Sequence, residues 1–554
     1  MIELDARALL LDSLLTTPRR DYQALLPIHL EIIEQDPLFY ARLALWYFEH
    51  GYVRDHLEIF VAMLCVSRIL GHRELGLNLL HKLPPYQLAR TVDIIKGKTI
   101  KNRIPGGRST TTHPPHLLLA ARPISIVQQV TKRLRSHRRR DQKVRDAFGH
   151  IVPKPAHLSS LGIGSVGLRT NVPRSMRSEI TRYLRKREAD ATTFDRTALG
   201  SRRALKRLYA GLHIRPSKRA QAVLFDNKPP PGSLAAVAKQ IVHTSDPMIQ
   251  AQAIVRHRIP YRVAVSMISA MTPKVLDALI EIMSPQEVIN NIQSLRRRGA
   301  FDHPALCSKI EGKLDEARHD RRVSPYKAKV ASIAVGAEGR LKSMLEDVTE
   351  HQVKRAARIT RPTALLIDKS GSMIDALDLG RHLGAMISSV CQAEFYAYAF
   401  DTIAYPIEPD GPHLFQWERA LSCFHAGGGT SCGIALELMR RARQRVEQII
   451  MVTDENENRG PLFEHAYMAY ADQFRIRPSV ILIKIGLSSH RLEAVCARLG
   501  IAPQVINFRG DYYALPNLLP MLCFPSLAEM VMQIMGHALP EISAVEPAAL
   551  PHPS

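Results

Sequence analysis

Three oxygen-bearing side chains stand at alternate positions in Asp368-Lys369-Ser370-Gly371-Ser372-Met373. Alternation sends them to one side of a tight loop, and Gly371 is expected to let the backbone turn sharply enough for both hydroxyls to converge. Thr430, in Gly427-Gly428-Gly429-Thr430, and Asp454, at the end of the apolar run from Ile449, offer two further oxygens. Neutral hydroxyls with one or two carboxylates make a hard, all-oxygen donor set of low net charge. Such a set suits Mg²⁺, which keeps waters and accepts an outside oxygen at an open octahedral position. A D-x-S-x-S by itself is more often an ordinary Asx or Ser turn. The Thr and Asp at later strand ends single this one out.

Elements able to hold these groups follow from the pattern after Arg361. Short apolar runs at Ala364–Ile367, Glu394–Phe400, Ile403–Ile407, Ile449–Val452, Val480–Ile485 and Val505–Phe508 read as strands. Helical spacing at Leu377–Val390, Ser431–Arg445, Pro461–Asp472, Arg491–Leu499 and Leu527–Met535 separates them. Strands alternating with helices predict a doubly wound α/β domain with a mostly parallel sheet covered on both faces. Ligands of such sheets bind at the strands' carboxyl ends, where the oxygen-bearing loops lie.

Upstream the pattern is helical. Asp36-Pro37 and Asp246-Pro247 are helix starts, with Asp as cap and Pro at the first position. Further amphipathic segments cover His56–Leu70 and Glu74–Leu83, separated by Gly71, then Met176–Arg187 and Ser201–Gly211. Beyond the break Pro229-Pro230-Pro231-Gly232 come Arg262–Met271, Pro273–Met283, Pro285–Arg297 and His303–Ala317. Short helices in series with short turns suggest HEAT-like repeats without a strict period. The expected organisation is a helical segment over 1–360, an α/β domain over 361–540 and a tail over 541–554.

The 554 residues carry 75 Lys+Arg and 52 Asp+Glu, a formal charge of +23. Hydrophobic residues make up 46%, which excludes disorder of the whole chain. Residues 96–219 hold 30 Lys/Arg and 6 Asp/Glu and so contain the entire surplus, whereas residues 361–554 hold 15 and 20. A basic block without acidic neighbours usually has an external polyanion as partner, nucleic acid first. Within it Arg138, Arg139, Arg140, Lys143, Arg202, Arg203, Lys206 and Arg207 are the expected phosphate contacts.

The set Asp368, Ser370, Ser372, Thr430 and Asp454 resembles the metal-ion-dependent adhesion site (MIDAS) of von Willebrand factor A domains. The resemblance covers roughly Arg361 to His537. It implies direct ligation of Mg²⁺ or another divalent cation by both serines, ligation by Thr430 directly or through water, and aspartates acting mostly through water. Gly428-Gly429-Thr430-Ser431-Cys432 with Val452-Thr453-Asp454-Glu455-Asn456-Glu457 is similar to the A domain of the Ro autoantigen (TROVE) family. That likeness implies a toroid of HEAT-like repeats before the A domain. The toroid would take single-stranded RNA ends through its hole and structured noncoding RNA, such as Y RNAs, on its rim. The sequence departs from the pattern in the Pro-broken stretch 96–175 and at Asp226, where a family His is expected.

Other chemistries find little support. Seven scattered cysteines form no C-x-x-C pair, so a disulfide framework or zinc ribbon is not expected. Gly162-Ile163-Gly164-Ser165-Val166-Gly167 matches a dinucleotide pattern without a preceding strand. No nucleophile–base pair emerges, so no enzyme is expected. The acidic start Met1-Ile2-Glu3-Leu4-Asp5 and the short apolar run Ile59–Leu70, which contains Arg68, point to a cytoplasmic protein without a membrane partner. The expectation is a monomeric RNA-binding protein acting as a ribonucleoprotein in noncoding-RNA quality control or processing. An RNA-processing nuclease or another protein is a further expected partner, bound through the A domain. The alternative is a Mg²⁺-dependent protein-interaction adaptor working with a separate AAA+ machine.

Overall fold

A computed structural model describes residues 25–51, 54–97, 171–508 (apart from 227, 321, 336–338, 357 and 487–488), 515, 518–524 and 527–539, with residue 168 and a few between 7 and 14. The chain divides into two compact units, Met1–Ala236 with Ile534–Ser554, and Val237–Gln533.

The first unit is helical among its described residues, with helices at Leu26–Gln35, Pro37–His50, Arg54–Val66, Leu70–Leu80, Pro85–Lys96, Arg174–Glu188, Ala191–Gly211 and Lys218–Leu224. Asp36 caps its helix as expected, its carboxylate accepting the Phe39 N–H at 2.9 Å. Gly71 is not a break, for it lies inside Leu70–Leu80. The chain turns at Ser67–Ile69 instead. There the Ser67 hydroxyl accepts the Ile69 N–H at 3.2 Å and lies 3.2 Å from His72 Nδ1, a local bond that competes with helix. The helix expected from Ser201 starts at Ala191, and Ser201 marks a kink within it (φ −138°). Phe39, Tyr40, Phe60, Tyr183, Leu205 and Tyr209 are buried in the core of this unit. The hydroxyls of Tyr183 and Tyr209 donate to Leu83 O and Glu188, at 2.8 and 2.7 Å, so their burial leaves no donor unpaired.

The second unit continues the helical series and then forms the sheet. Helices Pro247–His257, Pro273–Ile282 and Pro285–Arg297 start with Pro behind the capping residues Asp246, Thr272 and Ser284. Two helices that periodicity missed, Pro325–Val335 and Arg340–Ala356, complete the series. Strands β1 (Thr363–Asp368), β2 (Phe395–Phe400), β3 (Ala404–Pro406), β4 (Gln448–Thr453), β5 (Ser479–Ile485) and β6 (Gln504–Phe508) lie in the order β3-β2-β1-β4-β5-β6. All neighbours are parallel except the edge pair β2–β3.

Every residue of β1 and β4 is buried, as expected of central strands covered on both faces. One face packs on helices Ile434–Arg441 and Phe463–Phe474. Against the other, Ile374–Val390 approaches closely: a Cβ at Gly380 would stand 2.5 Å from Ile367. Helix Leu414–Leu421, also missed in the sequence, packs on Ile374–Val390 through Trp417. Chain order reverses between β1 and β4, which opens a crevice at their carboxyl ends.

Candidate metal-binding face

Both oxygen-bearing loops emerge at this reversal point. Asp368 ends β1, and its carboxylate accepts the Ser370 N–H at 2.9 Å and the Thr453 hydroxyl at 2.8 Å. Ser372 is exposed, and its hydroxyl donates to Asp454 at 2.9 Å. Asp454 also accepts the Asn456 N–H at 3.0 Å. Asp368 is thus tied to Thr453 and Ser372 to Asp454, two contacts that bring the loop after β1 against the end of β4.

Thr430 reaches the same edge on a loop tied at both sides. Gly427 N–H donates to Lys369 O, and Ser431 N–H to Asp401 O, each at 2.8 Å. The Asn458 carboxamide accepts the Thr430 N–H at 3.0 Å. Thr430 is 3% exposed, and its hydroxyl makes no hydrogen bond among the described residues.

Glycine matters here, though not where expected. Gly371 is outside the left-handed region, and a Cβ on it would meet only Gly428 O at 4.0 Å. The turn is held by the Ser370–Asp368 bond and by Met373 N–H donating to Ser370 O at 2.9 Å. Gly428 is the glycine the loop requires, with φ +86°.

The electrostatics suit a cation. Burial pushes the Asp368 carboxyl above the usual range, and the like charge of Asp454 adds to this, while Ser370 and Thr453 oppose it. Lys369 does not neutralise the pair. Its ammonium lies 2.5 Å from Asp401 and 5.1 Å from the Tyr405 ring. Burial works against the Asp401 charge, yet the Lys369 bond holds its carboxyl below the ordinary range. Two carboxylates therefore share a largely buried pocket furnished with neutral donors. A divalent cation fits that donor set: Ser370, Ser372 and Thr430 would supply neutral oxygens, and Asp368 and Asp454 the compensating charge.

A supporting layer escaped the sequence reading. Glu455, directly after Asp454, has φ +63°, an uncommon conformation for a non-glycine residue. Its N–H donates to the Thr453 hydroxyl at 3.0 Å, and its carboxylate accepts the Leu492 N–H at 3.2 Å. Lys484, from β5, lies 2.9 Å from that carboxylate and also pairs with Glu493. Glu457 accepts the N–H groups of Cys432 and Phe463 at 3.0 and 2.8 Å, clamping the threonine loop to the loop after β4. Charged residues beside D-x-S-x-S and at a strand end were the available signal, but their pairing required the register of β4 and β5.

A second group of possible ligands, Asp347, Glu350 and His413, lies elsewhere in the second unit. Its charges are already matched: Asp347 pairs with Arg318, and Glu350 with Lys354 and His413.

Of the expected phosphate contacts, Arg138, Arg139, Arg140 and Lys143 lie outside the described residues, as does Gly162–Gly167. The other four stand on Ala191–Gly211. Arg202 donates to Leu224 O at 3.2 and 2.8 Å, satisfying the last turn of Lys218–Leu224. Arg207 pairs with Asp93, and Lys206 lies 5.3 Å from the Phe225 ring centroid. Arg203 is exposed without a partner among the described residues.

No family model matches the chain, and no curated protein matches its sequence. Solved structures do match. Across 89% of this chain and 93% of the other, it is similar to the crystal structure of the Deinococcus radiodurans Ro protein (RSR), at TM-score 0.53 and 13% identity. This chain has the fold of a Ro protein. Helical repeats followed by a doubly wound α/β domain of the von Willebrand A type is the Ro order, and it is the order expected from the sequence. Shorter stretches are similar to two further structures. One is a von Willebrand factor type A protein from Catenulispora acidiphila (19% identity, 32% of this chain and 43% of that one, TM-score 0.24). The other is proximal thread matrix protein 1 from the mussel byssus with a zinc-occupied MIDAS motif (15% identity, 30% and 48%, TM-score 0.25). Among the described residues no helix is long and apolar enough to cross a membrane.

Proposed function

We propose that this chain is an RNA-binding protein of the Ro type that acts as a ribonucleoprotein in the quality control or processing of structured noncoding RNA, in the cytoplasm. In this reading residues 1–360 carry the RNA, with 96–219 as the principal phosphate-binding stretch. Residues 361–540 form a divalent-cation-binding A domain, and the protein is a binding module rather than an enzyme. The observation that carries the reading is the confinement of the whole charge surplus to 96–219 in a chain with the Ro fold. A solvated surface would mix acids with bases, and this stretch holds five basic residues for each acidic one. Purification of the full chain without nuclease, followed by sequencing of the copurified RNA, tests it. Structured noncoding RNA is expected, and a nucleic-acid-free preparation with no affinity for added structured RNA overturns it.

The adaptor reading keeps one observation in its favour, the meeting of Asp368 and Asp454 with the hydroxyl-bearing loop after β1 at the carboxyl ends of β1 and β4. A protein complex that withstands nuclease and dissolves in EDTA would establish it.

A further inference from the structure

Arg459 stands at the edge of the metal-binding face and takes no part in the donor set. Its N–H donates to Thr430 O at 3.0 Å. Its side chain lies across Gly429, so close that a Cβ there would meet Arg459 Cγ at 2.9 Å and Nε at 3.5 Å. Gly429 therefore gives the arginine stem room to lie against the threonine loop. The residue is exposed and has no ion pair among the described residues.

The charges around it are otherwise matched. Lys369 is balanced by Asp401, and Lys484 by Glu455 and Glu493. Glu457 is turned onto the Cys432 and Phe463 amides. One divalent cation would balance Asp368 and Asp454. Arg459 remains as a cation without an ion pair among the described residues, its stem lying against the threonine loop.

Two large apolar side chains occupy the same edge of the sheet. Ile374, which follows Met373, is 67% exposed, and Ile403, after β2, is 56% exposed. Apolar neighbours suit the side chains of a peptide better than a sugar–phosphate backbone.

We infer that Arg459 is a specificity-determining residue of this face, which selects a partner-protein segment carrying two neighbouring acidic side chains flanked by apolar ones. One carboxylate would take the open position of the cation and the second the guanidinium fork, a bidentate geometry that lysine cannot reproduce. The inference rests on the cation-binding reading of the A domain.

The test uses the full chain and three labelled probes: a Leu-Asp-Asp-Leu peptide, its Leu-Asp-Asn-Leu counterpart and a short oligouridine. Anisotropy is read in Mg²⁺ and in EDTA, and Mn²⁺ binding is followed separately by the electron paramagnetic resonance of the free ion. The two-acid peptide is expected to bind in Mg²⁺ and not in EDTA. Arg459→Ala should weaken it about tenfold or more and leave Mn²⁺ affinity unchanged. Arg459→Lys should recover only part of the loss, and the one-acid peptide should not distinguish the variants. Mn²⁺ binding without peptide binding, equal peptide affinity in Arg459→Ala, or Mg²⁺-dependent displacement of the peptide by oligouridine each overturns the inference alone. Absence of Mn²⁺ binding overturns the cation reading and this inference with it.

Discussion

The helix Ala191–Gly211 and the carboxyl edge of the sheet use charge in opposite ways. On the helix, cations outnumber acids and most spend themselves on local structure: Arg202 on a helix end, Arg207 on Asp93, Lys206 on Phe225. What remains for a partner is diffuse, an excess read as a field rather than a site. At the sheet edge, by contrast, acids converge. Asp368 and Asp454 are held in place by hydroxyls and amides, while the nearby lysines are diverted to other acids. A field recognises any polyanion and is weakened by salt. A converged pocket recognises one small ion and is sensitive to single atoms.

Salt should separate the two most strongly. Structured-RNA affinity of the full chain should fall about 10³–10⁵-fold between 50 and 200 mM salt if six to ten phosphates are contacted. Mn²⁺ affinity measured alongside should change far less. An RNA affinity flat over this range breaks the comparison.

The next largest effect concerns the supporting pair. Lys484→Met leaves Glu455 buried without its cation and should cost about 3–5 kcal/mol of stability in denaturant titrations. The double variant Lys484→Met/Glu455→Gln should recover much of it. Equal stability of the single variant and the wild type would show that the pair does not hold the loop after β4.

Removal of one donor sharpens the pocket side. Ser372 is exposed, so Ser372→Ala should preserve the melting temperature while lowering Mn²⁺ affinity by at least the roughly 10–100-fold that loss of a partner in the outer shell of a metal site costs. Unchanged affinity would remove Ser372 from the donor set.

The smallest effect divides the helix's own cations. Arg203→Ala should leave stability within about 0.5 kcal/mol and reduce the slope of log affinity for RNA against log salt by about 1. Arg202→Ala should lower the melting temperature, because two hydrogen bonds to Leu224 O are lost. If both variants melt alike, the structural role of Arg202 fails.

The alternation of strands with helices and the Asp-Pro helix starts were readable from residue type and spacing, since each rests on interactions a few positions apart. What was misread turned on competition that spacing does not reveal. Gly71 looked like a breaker, yet Ser67 makes the turn by bonding Ile69 and facing His72. Gly371 was expected to let its loop turn sharply, whereas Gly428 holds the left-handed position. Helix Leu414–Leu421 was missed because its eight residues are too few for a helical period to stand out, although Trp417 and Leu421 anchor it. Nothing local marked the pairing of Lys369 with Asp401, which the Phe395–Phe400 strand brings to it.

The sequence by itself determined where oxygen-bearing side chains alternate and which stretch carries the excess positive charge, because composition and short-range spacing are local properties of the chain. Only the tertiary structure decided that Asp368 lies near enough to Asp454, 86 positions further on, to feel its charge, and that Lys369 and Lys484 are turned away to other acids. The physical reason is the parallel register of β1 and β4, set by buried side chains on both faces of the sheet. That register fixes which loop ends meet, and with it which charges stay unmatched.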